Sequence, residues 1–198
     1  MNYRRAVVLS PHSDDGELAA GGTVAKLREA GVDVTALVFS TPGSTLPHEC
    51  EESWAKLGVD DVVLLDFQRR IFPMTRQAIL QEIWDYNEKH RPDLVLAPST
   101  NDWHQDHEVV CAEAIRTFKA ATMLGYEFAQ NCLTFKAGCF VSLEQRHMDK
   151  KLAALKCYTS QQGRPYFSPT VVIATAVSKG VVIGVQYAEA FEAIRMVM

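Results

Sequence analysis

Four short, almost wholly apolar runs, Ala6 to Leu9, Val32 to Phe39, Val62 to Leu65 and Leu94 to Ala97, alternate with longer segments over the first 121 residues. Runs of that length and character fit strands covered on both faces. Between them, Glu17 to Ala30, Glu49 to Leu57, Thr75 to His90 and Asp106 to Ala121 carry apolar residues at roughly helical spacing. Strand alternating with helix predicts an α/β fold: a Rossmann-like, mostly parallel sheet with helices on both faces. The last third reads differently. Leu133 to Phe135, Cys139 to Leu143, Thr170 to Ala176 and Val181 to Gln186 read as extra C-terminal strands, and Gln145 to Tyr158 as a helix. No repeat or linker divides the chain, so residues 1–198 read as a single domain, long enough to bury a core without disulfides.

Two polar clusters interrupt this pattern. Ser10 to Thr23, SPHSDDGELAAGGT, follows the first apolar run and opens the first helix, packing His12, Asp14 and Asp15 into four positions. The cluster Asp102-Trp-His104-Gln-Asp106-His107 follows the fourth run in an equivalent place. In a doubly wound sheet the first and fourth strands are neighbours, and their following loops diverge into a crevice. The two clusters are therefore expected at one site. His12, Asp15 and His107 make a two-histidine, one-carboxylate set suited to zinc with an open position, and equally to ferrous iron or another divalent ion. Water on such an ion ionises near neutral pH. Asp14 is placed to take a proton, His104 to stabilise an oxyanion or protonate a leaving amine, and Asp106 to orient an imidazole from behind.

Each cluster alone has a plainer explanation. Asp14 and Asp15 suit a helix N-cap, and a lone histidine is more often a hydrogen-bonded surface residue than a ligand. Trp103 fits either a sugar-stacking role or packing at the loop base. What favours a site is coincidence, since both clusters end apolar strands, open helices and complete one ligand set. His48, His90 and His147 lack that context and read as solvated. The Gly21-Gly22 pair costs a helix about 1 kcal/mol per glycine relative to alanine. It calls for close approach of the helix to the sheet, or of a ligand to the backbone.

Composition excludes several partners. A net charge of −4 gives no reason to expect nucleic acid or an anionic membrane surface. Five scattered cysteines without a Cys-x-x-Cys pair read as free thiols in a reducing compartment. No apolar run approaches the roughly 18 residues of a membrane span, and the N-terminus lacks the apolar length of a signal peptide, so a cytoplasmic location is expected. Apolar residues in the last third offer a surface for a homo-oligomer. A nucleotide-dependent Rossmann enzyme is disfavoured, because the first loop lacks Gly-x-Gly-x-x-Gly and sets two carboxylates where a pyrophosphate would lie.

With these residues in view, the chain resembles the PIG-L/LmbE-like family of metal-dependent N-acetylglucosamine-type deacetylases. The family's first motif, approximately (A/P)-H-P-D-D-E before a Gly-Gly-Thr helix, appears as Pro11-His-Ser-Asp-Asp-Gly-Glu17 with Gly21-Gly22-Thr23. Its His-x-Asp-His motif is His104 to His107. Weaker likenesses are Lys151 to Gln161, for Lys-x-x-Ala-Leu…Ser-Gln, and Tyr187 to Phe191, for Ala-Glu-Ala-Phe. The resemblance implies His12, Asp15 and His107 as ligands of zinc or another divalent ion, Asp14 as general base, and His104 as acid or oxyanion stabiliser. It also implies removal of an N-acetyl group from an amino sugar or sugar conjugate. The alternative is a noncatalytic carbohydrate-binding protein that keeps the fold. Ser13 stands where the family commonly has proline, and Gly16 where it has an acidic residue. Thr45 to Glu52 lacks the arginine with which many members grip substrate, which leaves Arg69, Arg70 or His48 as substitutes.

Overall fold

The apolar runs become strands of one sheet in the computed structural model, which describes residues 3–197. In chain order the elements are β1 (Arg5–Ser10), α1 (Asp15–Glu29), β2 (Asp33–Val38), α2 (Leu46–Lys56), β3 (Asp61–Leu64), α3 (Arg76–His90) and β4 (Leu94–Pro98). There follow α4 (Gln105–Thr117), β5 (Thr122–Tyr126), β6 (Cys139–Leu143), α5 (Gln145–Lys156), α6 (Pro169–Val182) and β7 (Tyr187–Arg195). The sheet order is β3-β2-β1-β4-β5-β7-β6. The first five strands are parallel, whereas β7 runs antiparallel to β5 and to β6. The fold is thus α/β, with a seven-stranded mixed, mostly parallel sheet.

Strand alternation divides the core. Ala6 and Val8 of β1 join Val34, Ala36 and Val38 of β2 in packing with α1, α2, α5 and α6. Val7, Leu9, Leu37, Val95 and Ala97 face the other way, onto Ile79 and Ile83 of α3 and Val110 and Ala114 of α4. Successive side chains on a strand point to opposite faces, so strands this apolar must be covered on both. Because β1 and β4 pair directly, the loops after them open at the point where strand order reverses.

Three readings of the last third need correction. Thr170 to Ala176 is helical, inside α6, and Val181 to Gln186 comprises the end of that helix and a turn. Their valines, isoleucine and threonines favour strand by propensity, but Val172, Ala176 and Gly180 recur at intervals of four and bury one helical face. Pro169 sits in the first turn, where its missing N–H costs nothing. Leu133 to Phe135 is irregular, with Leu133 exposed. The strands that sequence reasoning misses are β5 and β7. Extending the preceding helix to Ala121 hides β5, because that helix ends at Thr117.

The Gly21-Gly22 pair is explained by close approach. A Cβ on Gly22 would lie 2.5 Å from Leu143 Cδ1, and one on Gly21 would lie 3.1 Å from Lys151 Cγ. The space admits Glu189 of β7, whose carboxylate accepts from the Gly22 and Thr23 amides at 3.0 and 2.6 Å. Lys151 of α5 donates to the same carboxylate at 2.6 Å, so the buried charge is paired. The distant glycine, lysine and glutamate stretches are one buried junction of α1, α5 and β7. His147 also departs from the solvated reading. It is buried at the start of α5, contacts Glu29 at 2.5 Å and accepts from the Glu144 amide.

Candidate active site

The loop after β1 and the start of α4 meet at the crevice. His12 Nδ1, Asp15 Oδ2 and His107 Nε2 form a triangle with edges of 3.1, 3.1 and 3.3 Å. Asp106 Oδ2 lies 3.0 Å from His12 Nε2, and Asp102 Oδ2 lies 2.7 Å from His107 Nδ1. An ionised carboxylate only accepts, so each imidazole donates outward and, when neutral, turns its lone pair inward. Two lone pairs and a carboxylate oxygen then converge, an arrangement that repels itself unless a cation lies between them. Tetrahedral ligands at about 2.0–2.1 Å from zinc stand roughly 3.3 Å apart, which the triangle matches. His12, His104 and His107 also offer ligand atoms within 4.8 Å of one another, a looser set. The donor chemistry fits a divalent ion.

Charge at the site tells the same story. Burial pulls His12 and His107 down, but the Asp15 carboxylate and the carboxylates behind the rings overcome it, raising His12 to about 9 and His107 to about 10. Burial alone would raise Asp15, yet the two imidazoles hold it well below the usual carboxylate range. A divalent ion held there would compete with protons for one place.

Asp14 occupies the N-cap position of α1, but its side chain makes no capping hydrogen bond. It lines the cleft instead, and burial followed by the charge of Asp15 raises it to about 6. His104 is the N-cap of α4, where its Nδ1 accepts from the Asp106 amide at 3.1 Å. That bond leaves Nε2 to carry the proton of the neutral ring. Burial, then the charges of His107 and His12, lowers its pKa. His104 is therefore a neutral donor.

The remaining expectations divide. Arg69 and Arg70 line the cleft. His48 does not; it is exposed and pairs with Glu52. Trp103 is 73% exposed and lies outside the cleft lining, so it does not pack at the loop base. Asp106 stands behind His12 and also accepts from the Arg70 and Phe72 amides. Sequence reasoning gives Asp102 a place in the second cluster but no role, and it misses Arg164, which lines the cleft beside Gln161 and Tyr166. Gly16 faces away from the cleft, and a Cβ there would lie 2.4 Å from Ser10 Oγ. The Ser13 carbonyl accepts from Tyr158 Oη and Cys50 Sγ, which pin the loop in place of a proline.

Comparison with known proteins adds a family. Residues 7–119 match the PIG-L family, described as GlcNAc-PI de-N-acetylase. The diacetylchitobiose deacetylase of Thermococcus kodakarensis is 27% identical, covering 81% of this chain and 71% of its own. The conserved protein TT1542 from Thermus thermophilus superposes with a TM-score of 0.80 at 25% identity, over 99% of this chain and 96% of its own. GalB, the 4-carboxy-2-hydroxymuconate hydratase of Pseudomonas putida, superposes at 0.83 with 20% identity and 98% of each chain covered. The fold therefore hosts more than one chemistry, and the reaction must be argued from the site.

Proposed function

The chain belongs to the PIG-L (GlcNAc-PI de-N-acetylase) family, and on that premise we propose that it is a metal-dependent hydrolase removing the N-acetyl group from an amino sugar or sugar conjugate. The observation that carries the reading is the triangle of His12, Asp15 and His107 with an uncapped Asp14 beside it. A divalent ion held there, zinc first and ferrous iron second, supplies Lewis acidity and an acidified water. Asp14 takes a proton from the attacking water and returns it to the departing amine, so that the C–N bond breaks to acetate and free amine. The Nε2–H of His104 donates to the oxyanion formed from the acetyl carbonyl. Asp106 and Asp102 hold the two ligand rings in register.

Related observations support the setting. All five cysteines are free thiols, which suits a reducing, cytoplasmic compartment. No helix among the described residues is long and apolar enough to cross a membrane. Ile173, Val177 and Val181 on α6 are exposed, which suits a contact between copies of this chain.

The test is acetate release from N-acetylated sugars and sugar conjugates, N,N'-diacetylchitobiose among them, by metal-reconstituted protein. Asp14→Asn should keep its metal and lose about 100-fold or more of the rate. A variant with full metal and near-full rate would refute the base assignment. Sugar binding without acetate release by the wild type would favour the noncatalytic reading.

A further inference from the structure

The cleft is lined by more positive charge than the hydrolysis of an acetamide requires. Arg69 and Arg70 enter from the segment after β3, and Arg164 from the segment between α5 and α6. Among the described residues, no carboxylate lies within ion-pairing distance of any of the three, whereas Arg76 and Arg116 share Glu113 and Arg146 is held by Glu29. Of the described residues, only Asp14 and Asp15 bring carboxylates to the cleft lining, and Asp15 is already engaged by two imidazoles. Neutral sugar hydroxyls need amides and hydroxyls, which Gln130, Asn131 and Gln161 provide. Arg164 feels the charge of Asp14, and the guanidiniums of Arg69 and Arg70 are left without a counter-charge.

Arg70 is held where a glycine would sit at less cost. Its φ is 70°, in the left-handed region that side chains with a Cβ seldom enter. Its amide donates to Asp106 Oδ2 at 2.6 Å, and its carbonyl accepts from Gln105 Nε2 at 3.3 Å. Backbone strain of this kind persists where the surroundings over-determine it, and it clusters at functional sites. The carboxylate that steadies the His12 ring thus also fixes the Arg70 backbone relative to the ligand triangle. On the other loop, Arg164 donates to Tyr166 Oη, and its guanidinium stands 5.9 Å from the centre of that ring.

We propose that Arg69, Arg70 and Arg164 form an oxyanion-binding rim, and that the preferred substrate is an N-acetylated sugar bearing a phosphate ester or a carboxylate. Planar guanidiniums match both groups through paired, charge-assisted hydrogen bonds. The inference rests on the deacetylase reading for the acetamido half of the ligand alone. The anionic half follows from the charge of the cleft.

Calorimetric titration of the zinc-loaded protein tests it. N-acetylglucosamine 1-phosphate and N-acetylmuramic acid are compared with neutral N-acetylglucosamine. At least one charged sugar should bind about tenfold or more tighter, with the preference shrinking as salt rises. Arg164→Gln, and separately the pair Arg69→Gln with Arg70→Gln, should each cut the charged-to-neutral ratio by about tenfold. The variants lie on different loops, so misfolding of one, read by circular dichroism, leaves the other informative. Equal binding of charged and neutral sugars would overturn the inference. So would a preference retained in both variants, which would assign the anion to the metal. Acetate release is scored separately. Tight charged-sugar binding without acetate from any sugar would spare this inference and sink the deacetylase reading, and equal binding with acetate release would do the reverse.

Discussion

Asp102 does two things at once. One oxygen lies 2.7 Å from His107 Nδ1, and the other accepts from the His104 amide at 2.9 Å, so a single buried carboxylate fixes the His107 ring and the entry to α4. Carboxylates that orient metal-bound histidines commonly contribute about 10–100-fold to metal affinity. Asp102→Ala should therefore weaken zinc binding by about 10–100-fold, measured by competition with a chromophoric chelator. Unchanged affinity would show that His107 is positioned without it. The meeting of the two polar clusters was legible because their residues lie within a few positions of one another after apolar runs. The role of Asp102 was not, since it depends on which ring nitrogen faces which carboxylate. Arg164 was invisible for another reason: it follows Gly163 in an irregular segment, with no periodicity to say where it points.

At the scale of elements, α2 and the segment after α5 are joined through Glu49. Its carboxylate accepts from Thr159 Oγ1 at 2.6 Å, the Ser160 amide at 2.9 Å and Ser160 Oγ at 2.5 Å, just before Gln161 and Arg164 enter the cleft. Burial tends to raise Glu49, but these hydrogen bonds prevail and hold it below its ordinary 4.5. A carboxylate depressed in the folded state contributes stability above its unfolded pKa and loses it as pH falls through the folded value. Glu49→Gln should thus lower the melting temperature at pH 7, and the gap to wild type should close as pH falls below about 4.5. A gap independent of pH would contradict this account. Gly22→Ala probes the junction beneath α1. With Leu143 Cδ1 at 2.5 Å from the new methyl, the variant should lose about 1–3 kcal/mol in urea denaturation. An unchanged midpoint would show that the junction yields. Helices and strands through α4 could be read because their apolar spacing is regular. In α6 the β-branched content and the helical spacing point in opposite directions, and packing of Val172, Ala176 and Gly180 decides.

Over the whole molecule, strand order makes the site. With β1 beside β4, the loop carrying His12, Asp14 and Asp15 faces the helix carrying His104 and His107. The parallel half of the sheet was legible, because alternating strand and helix leave few topologies. The antiparallel β7 was not, since its pairing partners, β5 and β6, lie far away in sequence. The account's central claim is that this convergence is a metal centre on which amide hydrolysis depends. The most direct measurement is acetate release by chelator-stripped protein titrated with zinc, run beside His107→Ala. Stripped wild type should be inactive and should recover its full rate near one zinc per chain, while the variant recovers nothing at that stoichiometry. A stripped enzyme that keeps its rate, or a variant restored as readily as wild type, would contradict the account.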